Sequence, residues 1–337
     1  MTVLHVTSHE WERPVRWTKR KHGRLLRRVV LAMILSLVML AAGVMVAGYL
    51  TVSHYASSIR RLPGILALEA AHQPVMPARS RRSMTVLLTL SGVLRGRSGL
   101  QSGLIALVHL DADGHTGAVI SIPADALVSV PGHGTAQLWN ALRLGGPSLL
   151  IETVEELTNV RIDHYSVMSF EGVRSLIGAM RGINVDVPFT FTSDGYTFPA
   201  GIDHLNAASV LPYVRQAGVS VVIRSELQGN LIRSMLDKAA ADRMFVAIDF
   251  RVLHAMADAL SVDRNFSDTQ LESAALRLGH LPGNGGVFIT APTTGGPGGS
   301  ALLIEQVTGR LWGAIRKDSI AEFARQFPYA VTPGAPA

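Results

Sequence analysis

The sequence predicts an α/β protein, a three-layer α/β/α sandwich with a mixed central sheet, preceded by one transmembrane helix. Three observations predict it. Val29 to Val52 is an apolar run with no charged residue. Beyond residue 83, short runs rich in β-branched residues alternate with helical patterns. The basic excess of the chain, whose net charge is +6, lies ahead of that alternating part.

The apolar run comes first. A helix rises about 1.5 Å per residue and the hydrocarbon core is about 30 Å thick, so roughly 20 apolar residues span it. Val29–Val52 is long enough, and Ser36, Tyr49 and Thr51 are its only polar members. A cleaved signal peptide has a shorter apolar region, about 7–15 residues. The run therefore reads as an uncleaved anchor. Ahead of it stand Arg13, Arg16, Lys19, Arg20, Lys21, Arg24, Arg27 and Arg28, against Glu10 and Glu12. Basic flanks stay in the cytoplasm, which puts residues 1–28 inside and the rest outside.

Residues 53–83 read as a juxtamembrane stalk, with Pro63, Pro74 and Pro77 and a possible short helix from Leu62 to Ala71. Arg60, Arg61, Arg79, Arg81 and Arg82 there outnumber Glu69, so the domain beyond has a net negative charge. A basic balance would suggest nucleic acid only if it lay on the folded domain. The 28-residue tail is too short for an independent DNA-binding domain, which counts against a transcriptional regulator. With no cysteine, disulfides and thiolate metal sites are excluded.

The domain is expected to run from Met84 to about residue 320, with a loose tail over 321–337. Thr85–Leu88, Leu104–Leu110, Ala118–Ile122 and Ile183–Val187 fit strands buried on both faces. Leu149, Leu150, Val154 and Leu157 make a helical stripe over 147–158. A second helix over 169–181 has Ser169 as N-cap and Gly182 after its end. Leu227, Leu231, Ile232 and Met235 mark a third over 224–238. Helices near 246–260, 267–278 and 307–317 follow. Strands Val287–Ala291 and Ala301–Ile304 flank Thr293–Ser300, whose glycines and proline predict a flexible loop.

The sequence has no P-loop, dinucleotide fingerprint, HExxH or Gly-x-Ser-x-Gly. His109, His133 and His164 do not share a helical ligand spacing, and ordinary hydrogen-bonded histidines are the simpler reading. No metal site is assigned from the residues themselves.

Four stretches carry more: Leu107-Val108-His109-Leu110-Asp111, Ser121-Ile122-Pro123-Ala124-Asp125, Gly145-Gly146-Pro147 running to Ile162-Asp163-His164-Tyr165, and Leu211-Pro212-Tyr213-Val214-Arg215. In this order, behind one N-terminal anchor, they resemble the LytR-CpsA-Psr family of cell-envelope proteins, well over 84–238 and more weakly to about 317. The resemblance implies an extracytoplasmic phosphotransferase that moves a glycopolymer from undecaprenyl-pyrophosphate to peptidoglycan. It implies an apolar lipid pocket between sheet and helices, arginines on the pyrophosphate, and aspartates on magnesium. Guanidinium groups match phosphate oxygens bidentately, and magnesium needs oxygen ligands.

Residue by residue the match is partial. Gly92 stands where the family's first strand ends in an acid. The family's Arg-Ser-Asp-Thr falls on Gln101-Ser102-Gly103-Leu104. Its Ile-Pro-Arg-Asp reads Ile122-Pro123-Ala124-Asp125, and its Arg-x-x-Arg-Gln has Arg224, Leu227 and Gln228 at the three matching positions. The resemblance thus gives Asp125 and Arg224 as candidate catalytic residues, and Arg215, Arg224 and Gln228 as candidate substrate-binding residues. Arg95 and Arg97, on the adjacent loop, are candidates to replace lost cations. Magnesium is implied by the resemblance, but Gly92 and Gly103 remove its expected ligands. Each charged hydrogen bond contributes about 1.5–3 kcal/mol, so the lost contacts should weaken pyrophosphate binding severely.

Two readings follow. One is a non-catalytic or impaired member that binds a polyprenyl lipid or glycan, peptidoglycan, or another protein of the family. The other is an active transferase with a modified site. Membrane is an expected partner in both and nucleic acid in neither.

Overall fold

The computed structural model describes residues 54–63, 74, 82–93, 100–114, 116–215, 221–241, 250–284 and 286–331. In chain order the strands are β1 (Arg60–Leu62), β2 (Met84–Val93), β3 (Leu100–Leu110), β4 (Gly117–Ile122), β5 (Leu127–Val130), β6 (Gly134–Gln137), β7 (His164–Ser169), β8 (Ile183–Val187), β9 (Phe191–Ser193), β10 (Tyr196–Phe198), β11 (Gly201–Leu205), β12 (Leu260–Asp263), β13 (Gly286–Thr290), β14 (Thr293–Gly295) and β15 (Ala301–Leu303). The helices are α1 (Leu138–Thr158), α2 (Phe170–Ala179), α3 (Val210–Arg215), α4 (Val221–Ala241), α5 (Phe250–Ala259), α6 (Asp268–Asn284), α7 (Glu305–Arg316) and α8 (Ile320–Gln326).

Seven strands form one sheet in the order β1-β12-β7-β2-β3-β4-β13. The pairs β1–β12, β7–β2 and β4–β13 are parallel and the others antiparallel, so the sheet is mixed. Successive side chains of a strand point to opposite faces. Val86, Leu90, Ala106, Val108 and Leu110 meet α2, α3, α4, α5 and α6 in one core. Leu87, Ile105, Leu107, Ile120 and Ile122 meet α1, α7 and α8 in another. The three-layer α/β/α arrangement follows from this division.

Local chemistry fixes the elements. α1 begins earlier than the expected 147 and is kinked at Gly146, which has φ 70°. Glycine accepts that conformation, and Pro147 then opens the second segment, where its missing N–H costs nothing. At its end Asn159 is left-handed, and its N–H donates to Glu155 O (2.7 Å). The Glu155 carboxylate accepts the Ile162 N–H (2.7 Å), steering the chain into β7. α2 starts as expected, with Ser169 Oγ accepting the Gly172 N–H (2.9 Å).

The structure departs from the sequence reading elsewhere as well: β8, expected to be buried on both faces, pairs with β11 outside the seven-stranded sheet and keeps Asn184 exposed. β1 lies within 53–83, the segment expected as stalk. Its Arg61 bonds Phe266 O and Asp268, so the sheet reaches back before Met84. Residues 321–331, expected to be loose, fold against the second core. Phe323 and Ala330 are buried there, and Val331 bridges to Ile289. Thr293–Ser300, expected as a flexible loop, contains β14 paired with β15, and the Gly296 N–H donates to Ser300 O (2.8 Å). The helix expected over 246–260 gives way to β12 at Leu260. Beyond Pro63, the helix expected over Leu62–Ala71 lies outside the described residues, as do the basic tail and the Val29–Val52 run. Among the described residues no helix is long and apolar enough to cross a membrane.

Two outcomes test this packing. A Cβ on Gly172 would sit 2.6 Å from Ala259 Cα, so Gly172→Val should destabilise the protein by about 1–3 kcal/mol in urea unfolding. Gly178→Ala, 3.5 Å from the Ala207 Cβ and exposed within α2, should stabilise by about 0.5–1 kcal/mol through helix propensity. Separately, burial pushes the Glu155 carboxyl from its ordinary 4.5 up to about 7, although Ile162 N–H and Arg161 oppose it. A raised folded value stabilises fully below the unfolded one and is lost as pH rises through the folded one. Stability should therefore fall by up to ~3 kcal/mol between about pH 4.5 and 7, and Glu155→Gln should remove that slope.

Candidate functional site

Between the first face of the sheet and helices α2, α4, α5 and α6 lies a cavity of about 280 Å³. Leu88, Leu90, Leu104, Leu176, Leu231 and Met235 are among its lining, which is almost wholly apolar. Its volume is near the lower bound of small-molecule pockets, about 300 Å³. A space lined this way stays dry and favours hydrocarbon. Gln228 and Val214 line it as well. They lead to the polar residues the sequence singled out.

Asp125 is positioned by the turn after β4. Ala126 N–H donates to Pro123 O (2.9 Å), Trp139 N–H to Ala124 O (2.9 Å), and Ala301 N–H to Asp125 O (3.1 Å). The chain is thus pinned by the start of α1 and by β15. The Asp125 carboxylate accepts a hydrogen bond from Arg224 Nη1 (2.9 Å), and both side chains are partly buried. Burial pushes the Asp125 carboxyl up, and the Arg224 guanidinium opposes the shift. Arg224 and Gln228 are four residues apart on α4 and share a face. Gln228 is buried and its Nε2 donates to Val214 O (3.4 Å).

The structure therefore brings Asp125, Arg224 and Gln228 together beside the cavity. Arg215 follows Val214, but its guanidinium reaches away to Asp194 (2.7 Å), on the β9–β10 turn. That pair is half-exposed. Arg95 and Arg97 lie outside the described residues.

The positions where acids were expected come to the same end of the sheet. Gly92 pairs with Gln101 and Ser91 with Ser102, after which the register shifts and Leu90 pairs with Leu104. Gly103 is thus the extra residue of a β-bulge. Ile122, which leads to Asp125, pairs with Ile105 just beyond it. Gly92 and Gly103 carry no oxygen side chain, and Asp125 already accepts from Arg224. These residues do not compose the magnesium site that the resemblance implies. Leu227, at a position where the resemblance led to an expectation of arginine, is buried in the apolar core.

One cluster was missed by sequence reasoning. His109 Nε2 and carboxylate oxygens of Asp111 and Asp318 lie within 4.8 Å of one another at the other end of the sheet. His109 and Asp111 share a strand face by their i, i+2 spacing, but no local signal connects them to Asp318.

Residues 70–279 match the model of the LytR_cpsA_psr family, and the chain belongs to that family. The polyisoprenyl-teichoic acid–peptidoglycan teichoic acid transferase TagU of Enterococcus faecalis is 31% identical over 154 residues, 44% of this chain and 50% of that protein. The probable cell wall biosynthesis protein LcpB of Corynebacterium glutamicum is 34% identical over 113 residues, 33% of this chain and 27% of that one. The chain thus spans about half or less of the curated relatives it matches. The LytR-Csp2A-Psr enzyme from Actinomyces oris superposes with a TM-score of 0.61 at 17% identity, covering 76% of this chain and 96% of that one. For TagV of Bacillus subtilis the values are 0.56, 22%, 71% and 98%. At those identities the likeness is one of fold.

Arg224→Met leaves a partly buried carboxylate without its donor and should destabilise by about 1–3 kcal/mol at neutral pH. The loss should shrink on acidification, because a protonated Asp125 has no charge to compensate. Arg215→Met breaks a half-exposed pair and should cost about 0.2–1 kcal/mol. Urea titrations of the two variants at neutral and acidic pH compare them.

Proposed function

We propose that this chain is a membrane-anchored, extracytoplasmic member of its family that binds a polyprenyl-linked lipid or glycan, with catalysis impaired or lost. Its role is that of a scaffold or regulator beside peptidoglycan and other family members. The observation that carries this reading is the apolar cavity ending at Gln228, one helical turn from Arg224. A polyprenyl chain gains roughly 25 cal/mol for each Å² of apolar surface it buries there. Its phosphate would share the Arg224 guanidinium, whose Nη1 is held by Asp125. The names of relatives such as TagU, which specify polyisoprenyl-linked substrates, support the same ligand class.

Transfer asks more than binding. An acceptor hydroxyl must attack phosphorus while a phosphate leaves, and the charge growing on the leaving oxygens needs compensation. Gly92, Gly103, Gln101, Ala124 and Leu227 supply none of it. A second reading, an active transferase with a modified site, has one observation in its favour: Asp125 and Arg224 are retained and hydrogen-bonded to each other beside the cavity.

The full chain in detergent distinguishes these readings. Polyprenyl phosphate should bind saturably, and Ala274→Phe, which projects a ring from the cavity wall, should weaken binding at least tenfold. Incubation with a polyprenyl-pyrophosphate-linked glycan, a peptidoglycan acceptor and magnesium should release no polyprenyl monophosphate above a protein-free control. Release would replace the first reading with the second, and failure to bind the lipid at all would sink both.

A further inference from the structure

We infer that His109, Asp111 and Asp318 form a binding site for a borderline divalent cation, zinc above all, at the end of the sheet remote from Asp125. The placement follows from the strand register. His109 pairs with Ala118 and Leu110 with Gly117, at the opposite end of β4 from Ile122. Asp111 is the next residue, and Asp318 sits in the turn between α7 and α8.

The distances suit a metal. His109 Nε2 lies 2.9 Å from Asp318 Oδ1 and 3.4 Å from Asp111 Oδ1. Ligands bound about 2.0–2.2 Å from zinc at tetrahedral angles are roughly 3.3–3.6 Å apart, so small adjustments would seat an ion among the three. His109 is 2% and Asp111 8% exposed. The opposite ring nitrogen, Nδ1, shares a hydrogen bond with Thr85 Oγ1 (2.9 Å). That contact fixes the ring orientation, as partners of metal-bound histidines do.

Hydrogen bonding alone leaves the cluster incomplete. A proton on Nε2 can serve one carboxylate, and Asp318 is in place to take it. Asp111 Oδ2 accepts from the Thr116 hydroxyl (2.6 Å). Asp111 Oδ1 is wholly shielded and, among the described residues, accepts no hydrogen bond. A buried carboxylate oxygen without a donor is costly. One cation would serve all three ligand atoms. The imidazole favours zinc over the harder magnesium and calcium. Such an ion would clamp the turn between α7 and α8 to the end of β3.

The test uses the full chain in detergent, stripped with a chelator and titrated calorimetrically with Zn²⁺. The expected result is a saturable step of one Zn²⁺ per chain, at least tenfold weaker in Asp111→Asn, His109→Gln and Asp318→Asn and unchanged in Asp125→Asn. Zn²⁺ should raise the melting temperature of the wild type but not of Asp318→Asn. Asparagine tolerates the left-handed backbone of Asp318 (φ 50°), so this variant keeps the fold and carries the test if the more buried substitutions do not. No such step, a step unaffected by Asp318→Asn, or equal weakening by Asp125→Asn would overturn the inference.

Discussion

β2 and β3 pair side by side through the middle of the sheet, and almost every other contact depends on how their side chains are dealt to the two faces. Val86 and Leu90 go to one core and Leu87 to the other, with Ala106 and Leu107 dividing in the same way on the neighbouring strand. A one-residue slip would exchange the cores, so apolar burial on both sides holds the register. The bulge at Gly103 confines the only shift in this pairing to the strand ends, beside Asp125. Below it, the strands stay in step down to Met84 and Leu110.

The Asp125–Arg224 pair is the polar counterpart of that division. Asp125 is held by α1 and β15, which belong to the second layer, whereas Arg224 rides on α4 in the first. Their hydrogen bond joins the two layers around the end of the sheet. The family's glycopolymer-transfer relatives share the sheet and its helical cover. The chemistry gathered at that end is one carboxylate, one guanidinium and two glycines in places where the resemblance led to an expectation of acids.

The central strands were legible because β-branched runs bounded by turns have few alternatives. Ser169 and Gly182 bracketed α2 by the physical roles of capping residues. Motif order singled out Asp125, Arg224 and Gln228; in the fold Arg224 hydrogen-bonds Asp125, and Gln228 lies one turn along α4 from it. β1 was not, since three residues containing Arg60 and Arg61 have no readable period, and their place is set by partners two hundred residues away. Residues 321–331 were misread for a related reason: Phe323 and Ala330 reveal their burial only when the second core is assembled. Arg215 shows the limit of motif reasoning, because its preference for Asp194 depends on a hairpin that no motif specifies. The same holds for Asp318, which meets His109 across most of the chain.

The contact between Gly172 and Ala259 bears on how the cavity can change size. There α2 and α5, which both contribute residues to the cavity lining, meet with no intervening side chain that could change rotamer, so the two helices cannot slide past each other at this point without moving together. The cavity's other walls are lined by α4, α6 and residues 55–59. Gln228 and Arg224 belong to α4. Any displacement of α4 would therefore carry Gln228 and Arg224 together, so the volume of the cavity and the Arg224–Asp125 hydrogen bond are mechanically linked through one helix.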